Sequence, residues 1–136
     1  MKGQLSEMAN APQVDANSLI ESAESIGDIK VIVRELTGAN PGIMRKLIDQ
    51  VRKKTNPVAL FLAAKTGEEK VLLVAGVSND LIERGIKAGD WVKAIAPIVG
   101  GGGGGKPDLA QAGGKQPENI AKALAEASEF LKSQTV

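Results

Sequence analysis

Apolar positions along the chain change period several times, and each change marks an element. Residues 58–65 (Val-Ala-Leu-Phe-Leu-Ala-Ala-Lys) are apolar without interruption up to the lysine, the pattern of a central strand covered on both faces. Thr66-Gly67-Glu68-Glu69 then supplies a short turn, and residues 70–77 (Lys-Val-Leu-Leu-Val-Ala-Gly-Val) return as the second strand of a hairpin. Upstream, residues 30–36 (Lys-Val-Ile-Val-Arg-Glu-Leu) are β-branched and predict another strand. Between these strands the period becomes helical. Ile43, Leu47, Ile48 and Val51 fall on one face, with Asn40 as N-cap and Pro41 at the first helical position.

The flanks read as mainly helical. Leu5 and Met8 predict the end of a helix over residues 1–10, broken by Pro12, and Asp15 caps a second helix over 16–25 that stops at Gly27. After the hairpin, Asn79 or Asp80 starts one helical turn through Arg84, with Gly85 and Gly89 punctuating the connection. A further helix runs from Gly89 or Asp90 to about Val99, with Trp91, Ile95 and Ile98 inward. Pro117-Glu118 opens a last helix to about Lys132, whose Ile120, Leu124, Ala127 and Leu131 face the sheet. Trp91 beside Asp90 invites a functional reading, but a tryptophan at helical spacing with isoleucines reads as core. The expected fold class is α/β (α+β). A small mixed sheet with a strand-helix-strand-strand core is packed by helices and preceded by an N-terminal helical segment. The division is a helical tail over 1–27 and a globular glycine-rich-loop domain over 28–136.

One stretch fits no hydrophobic period. Gly100 to Gly105 are six consecutive glycines, followed by Lys106-Pro107-Asp108-Leu109-Ala110-Gln111-Ala112-Gly113-Gly114-Lys115. Each glycine loses about 0.5–1 kcal/mol more than alanine on ordering, so a folded run of them answers a need for bare backbone. The needs open at this point are positive φ at several successive positions, a nest of amides aimed at an anion, or close approach of another backbone or a ligand. A flexible linker is the plain alternative, disfavoured by the apolar Leu109, Ala110 and Ala112 and by the second glycine pair.

Composition narrows the chemistry. The 136 residues hold no cysteine and no histidine, which removes disulfides, thiolate metal sites and an imidazole base, leaving carboxylates, lysines and hydroxyls. Aromatic residues number three, Phe61, Trp91 and Phe130, all expected to be buried, so the core is aliphatic. No apolar run approaches the roughly 18 residues of a membrane span, and residues 1–28 are too polar and acidic for a signal peptide. A cytoplasmic protein is the expectation, with an organelle the alternative. The formal charge of +1 hides an uneven distribution: five acidic residues face one lysine over residues 1–28, whereas fourteen basic residues face eight acidic ones over 30–115. On the helix from Pro41, the polar face holds Arg45, Lys46, Arg52, Lys53 and Lys54 against Asp49. This face reads either as solvated charge meeting the helix C-terminus or as a phosphate-contacting surface.

Residues 71–77, then Ala88-Gly89-Asp90-Trp91-Val92, the glycine run with its Lys106-to-Gly114 continuation, and the terminal helix resemble the C-terminal domain of alanyl-tRNA synthetase over residues 28–133. The block 100–114 is the most specific part. That domain belongs to the DHH-associated group, shared with DHH-family phosphoesterases. In those phosphoesterases the glycine run leads into a substrate-holding histidine, whereas here Lys106 follows Gly105, which favours the synthetase branch. The aminoacylation and editing domains have no counterpart here, so the chain reads as a C-terminal fragment in which residues 1–25 are the tail of a helical connector.

The resemblance implies a noncatalytic module that engages the tRNA elbow and helps one tRNA serve aminoacylation and editing. Its implied partners are alanine-specific tRNA, the rest of the synthetase and, as in some members, a second copy; no cofactor, metal or independent activity is expected. The residues assigned to RNA are Gly101, Gly102, Gly103, Gly104, Gly105, Lys106, Gln111 and Lys115, with Arg45 and Lys46. Glycine backbone is expected to lie flat on a tertiary base pair while the cations meet phosphates, and Gly103→Val to block that approach. The alternatives are a dimerisation domain, in which the glycines accept another protein backbone, and a phosphoesterase substrate domain, which the absent histidine disfavours.

Overall fold

The computed structural model of the chain describes residues 16–21, 23–36, 41–55 and 57–135. The expected helix over 1–10, the Pro12 break, the Asp15 cap and the Asn40 cap lie outside the described residues. Within them the order is α1 (Ala16–Glu21), β1 (Glu24–Ile26), β2 (Ile29–Glu35), α2 (Pro41–Lys54), β3 (Val58–Gly67), β4 (Lys70–Val77), α3 (Asn79–Glu83), α4 (Ala88–Ile95), β5 (Gly102–Gly105), β6 (Leu109–Gly114) and α5 (Ile120–Thr135). The strands form one mixed sheet in the order β1-β2-β3-β4-β6-β5. β2 and β3 are parallel, with α2 as their crossover, and the remaining pairs are antiparallel. The strand-helix-strand-strand core expected from the sequence is therefore β2-α2-β3-β4.

β3 shows why its sequence is uniformly apolar. Val58, Leu60, Leu62 and Ala64 point to one cluster, with Met44, Leu47, Ile48 and Val51 of α2 and Leu19 of α1. Ala59, Phe61 and Ala63 point to the other, with Trp91, Val92 and Ile95 of α4 and Ala123, Ala127 and Leu131 of α5. The sheet is thus the middle of three layers, and a buried strand must be apolar on both alternations. Trp91 is fully buried, its ring centroid 5.1 Å from that of Phe61. Its indole N–H donates to the Ala127 carbonyl at 2.9 Å, which ties α4 to α5 and settles the core reading.

Several expectations are corrected. The helix expected over 16–25 ends at Glu21, and Glu24–Ile26 pairs with β2 instead. Gly27, read as a helix stop, is the first residue of a two-residue hairpin loop at φ 61°, the glycine-first pattern of tight hairpins. The helix expected to reach Val99 leaves α-geometry at Ala96 for a 3₁₀ turn over Ala96–Val99 that contains Pro97. Phe130 is half-buried at the margin of the α5-side core rather than enclosed.

Candidate nucleic-acid interface

The glycine run is a strand, not a loop. Gly100 alone among its six residues has positive φ, 72°, and ends the 3₁₀ turn in the left-handed region. Gly102–Gly105 then form the outermost strand of the sheet, paired with β6 as Gly102↔Gly113, Gly103↔Ala112, Gly104↔Gln111 and Gly105↔Ala110. Amides alternate in direction along a strand, so the converging nest and the successive positive φ values both give way to close approach.

Two alternations divide the run. A Cβ on Gly101 would overlap the Gly113 carbonyl, one on Gly103 would stand 2.5 Å from the Ala112 Cα, and one on Gly105 2.8 Å from the Ala110 Cα. Gly89 of α4 answers in kind, since a Cβ there would stand 2.9 Å from the Gly105 oxygen. The odd-numbered glycines are therefore bare because β6 lies against them. A Cβ on Gly102 would meet nothing within 4 Å, and one on Gly104 only the flexible Lys93 side chain at 3.4 Å.

Register assigns the outward face of this hairpin. Val74 and Leu72 belong to the α2-side core and stand opposite Gln111 and Gly113, which in turn stand opposite Gly104 and Gly102. Ala110 and Ala112 are buried on the α4 side, where α4 packs on β5 and β6. Gln111 and Gly113 are exposed and Leu109 packs at the α2 end of the same row, so the α2-side face of β6 carries two side chains, while β5 beside it adds only peptide planes and is open at the sheet edge, where the Lys93 side chain of α4 reaches Gly104.

α2 walls that surface. Ile48 sits over Gly76, where a Cβ would overlap its Cγ2. Arg52 reaches past the end of β4, donating to the Asp108 carbonyl at 3.0 Å and the Val77 carbonyl at 3.4 Å, with Asp49 at 2.5 Å as ion-pair partner. Arg52 thereby pins the β5–β6 turn to α2. Its partner Asp108 is 56 residues away, so this role left no local signal, and it matches neither reading of the basic face: Arg52 bonds carbonyls of β4 and the β5–β6 turn. Arg45 lies seven residues earlier, two turns along the same stripe, and so flanks the hairpin side of α2. Arg45 and Lys46 are both exposed.

Of the residues assigned to RNA, the structure joins Gly102, Gly104 and Gln111 in adjacent rows, with Arg45 on the neighbouring helix flank. It does not join Lys106 to Lys115. Lys106 stands in the β5–β6 turn, its N–H bonded to the Leu109 carbonyl at 3.0 Å, while Lys115 follows the far end of β6, its N–H bonded to the Val99 carbonyl at 2.8 Å. The length of β6, about 20 Å at about 3.3 Å per residue, separates them. At this end the β3–β4 turn, the start of β5, the end of β6 and Lys115 border an open cleft of about 930 Å³. Its Glu68, Glu69 and Lys70 are functional candidates that the sequence presented only as a turn.

The DHHA1 domain family matches residues 28–133. The alanine–tRNA ligase of Rhodopirellula baltica is 48% identical over 128 residues, 94% of this chain and 14% of that protein. That of Bacillus velezensis is 41% identical over 129 residues, 95% of this chain and 14% of that protein. The chain therefore spans 14% of the length of these relatives. Among solved structures, the C-Ala domain from Aquifex aeolicus alanyl-tRNA synthetase is 30% identical with a TM-score of 0.69, covering 83% of this chain and 96% of that one.

Proposed function

Because the chain belongs to the DHHA1 domain family, in its alanyl-tRNA synthetase C-Ala branch, we propose that it is a noncatalytic tRNA-binding module of an alanine–tRNA ligase. It contacts the tRNA elbow and helps one tRNA serve both aminoacylation and editing. Its partners are alanine-specific tRNA and the rest of the synthetase, and its place is the cytoplasm. No helix among the described residues is long and apolar enough to cross a membrane.

The observation that carries the proposal is a bare sheet face bounded by cations. Gly102, Gly104 and Gln111 offer peptide planes that can lie against a flat base pair, while Arg45 and Lys46 on one side and Lys106 at the turn meet phosphates. Readers of single-stranded RNA sequence stack bases on aromatic side chains. Here Phe61 and Trp91 are enclosed, and Phe130 lies on the α5 side. Recognition is therefore of shape and backbone. With about 3 to 5 phosphate contacts, the logarithm of affinity should fall against the logarithm of salt with a slope of about −2 to −4.

The test is a titration against tRNA and against a duplex RNA of equal length, each at two salt concentrations. Preference for tRNA, weakened by salt, is the expected result, and Lys106→Glu should weaken it about tenfold at low salt with an unchanged circular-dichroism spectrum. Equal binding to both RNAs would reduce the face to nonspecific charge. Absence of binding with a concentration-dependent mass would move the domain to self-association.

A further inference from the structure

Gly42 in the first turn of α2 aside, the described glycines each have an account within the fold, with four exceptions. Gly27, Gly85 and Gly100 have positive φ. Gly76, Gly89, Gly101, Gly103, Gly105 and Gly114 would bring a Cβ to 3.0 Å or less from a neighbour. Gly67, Gly102, Gly104 and Gly113 have ordinary φ and room: nothing within 4 Å of a Cβ at Gly102, the Val71 oxygen at 3.8 Å at Gly113, and flexible lysine carbons at 3.4 Å at Gly67 and Gly104. A glycine the fold does not need still carries the entropy of a glycine. Three of these four, Gly67, Gly102 and Gly113, border the same 930 Å³ cleft.

The cleft has the size of a small-molecule site and a divided rim. Glu68 and Glu69, both exposed, stand on the β3–β4 turn, and Lys70 and Lys115 stand beside it. Bare peptide walls suit the flat face of an aromatic ring without side chains of their own to stack. A carboxylate has two oxygens, and guanine alone among the four RNA bases presents adjacent N1–H and N2–H donors to match them, whereas uracil offers a single N–H. Lysine ammonium groups suit the attached phosphate.

We propose that this cleft seats one unstacked guanine nucleotide, its ring against the backbone of Gly67, Gly102 and Gly113, its donor edge toward Glu68 or Glu69, and its phosphate toward Lys115 and Lys70. The identification of RNA as the source rests on the tRNA reading above; the cleft itself does not. A guanosine monophosphate and a guanosine unit of RNA share this chemistry.

The probe is guanosine monophosphate, titrated into the 15N-labelled chain, with uridine monophosphate as reference. The expected result is saturable shifts at the Gly67, Gly102 and Gly113 amides, with guanosine monophosphate bound about tenfold more tightly than the uridine nucleotide. Because a Cβ fits at both positions, the Gly102→Ala/Gly113→Ala double variant should melt with the parent yet lose about tenfold in affinity. Lys122→Ala, at an exposed position of α5 outside the cleft, should bind as the parent does. Glu68→Gln with Glu69→Gln should bring the two nucleotides to near-equal affinity. Competition between guanosine monophosphate and tRNA assigns the nucleotide to the RNA, and binding without competition assigns it to the free pool; both uphold the cleft. Shifts absent from these three amides, or a double variant that binds normally, overturn the proposal even where tRNA binding stands. Loss of tRNA binding with the shifts intact overturns only the tRNA reading.

Discussion

Between β2 and β4 the sheet is filled by side chains on both faces, whereas the β5–β6 hairpin at its edge carries almost none. Leu60, Leu62 and Val74 on one side and Phe61, Leu73 and Ala75 on the other are fully buried. Stability there comes from apolar area and close packing. The hairpin is held instead by backbone proximity to β6 and α4, by the Val77 N–H to the Asp108 carbonyl at 3.1 Å and the Ala88 N–H to the Pro107 carbonyl at 2.7 Å, and by the Arg52 fork. A region built of side chains fails when atoms are removed. A region built of bare backbone fails when atoms are added, and it leaves its outer face free for a partner.

That contrast breaks most visibly in its filled half. Phe61→Ala removes a fully buried ring tilted against Trp91 and should lower unfolding free energy by about 3–5 kcal/mol, measured by urea denaturation. The converse experiment in the bare half is Gly103→Val. Its Cβ would meet Ala112, so the hairpin should loosen at about 1–3 kcal/mol, with amide exchange rising over 102–113 while the β3 amides keep their protection. Equal losses in both strands would merge the two halves into one cooperative unit. From sequence this variant is expected to block the approach of RNA; because its Cβ also meets Ala112, Gly102, where a Cβ meets nothing within 4 Å, is the cleaner position for that test.

Arg52→Ala should cost about 1–2 kcal/mol, because the fork is half-buried and its carbonyl partners keep their other bonds. Faster exchange of the Val77 amide, whose acceptor is Asp108, would locate the loss at the β5–β6 turn. The smallest effect belongs to an ion pair remote from the hairpin. The Arg84 guanidinium, at 2.8 Å, hydrogen-bonds Asp28 and holds its carboxyl below the ordinary value. The stabilisation this gives is fully present above the unfolded-state value of about 3.9 and is lost as pH falls from there through the lowered folded-state value. Arg84→Gln should therefore melt slightly below the parent at pH 7 and with it at about pH 2, by thermal denaturation. A difference that persists in acid would give Arg84 another role.

The filled half was legible in the sequence because its causes are local and periodic. The unbroken run 58–64, the helical stripe Ile43 to Val51 and Pro41 each announce their element. The β1–β2 hairpin had a signal too, in Gly27-Asp28 between short strands, but the weak alternation of Glu24, Ser25 and Ile26 did not outweigh the helical spacing before it. β5 had none. Glycine has low strand propensity, and its conformation follows from Gly89, Ala112 and Gly113, residues 9 to 16 positions away that come near only in the fold. The glycine run was recognisable as a place that needs bare backbone; which glycines serve the fold and which leave space could be read only from neighbours. Likewise the basic face of α2 was visible as charge, while its division into a structural Arg52 and an exposed Arg45 and Lys46 depends on Asp108.

The most direct test of the bare hairpin as the tRNA-facing surface is amide hydrogen exchange of the chain with and without tRNA at low salt. Exchange should slow over residues 102–106 and at Gln111, and along the Arg45 flank of α2, with α5 unchanged. Protection on α5 around Phe130 with an unaltered hairpin would contradict it.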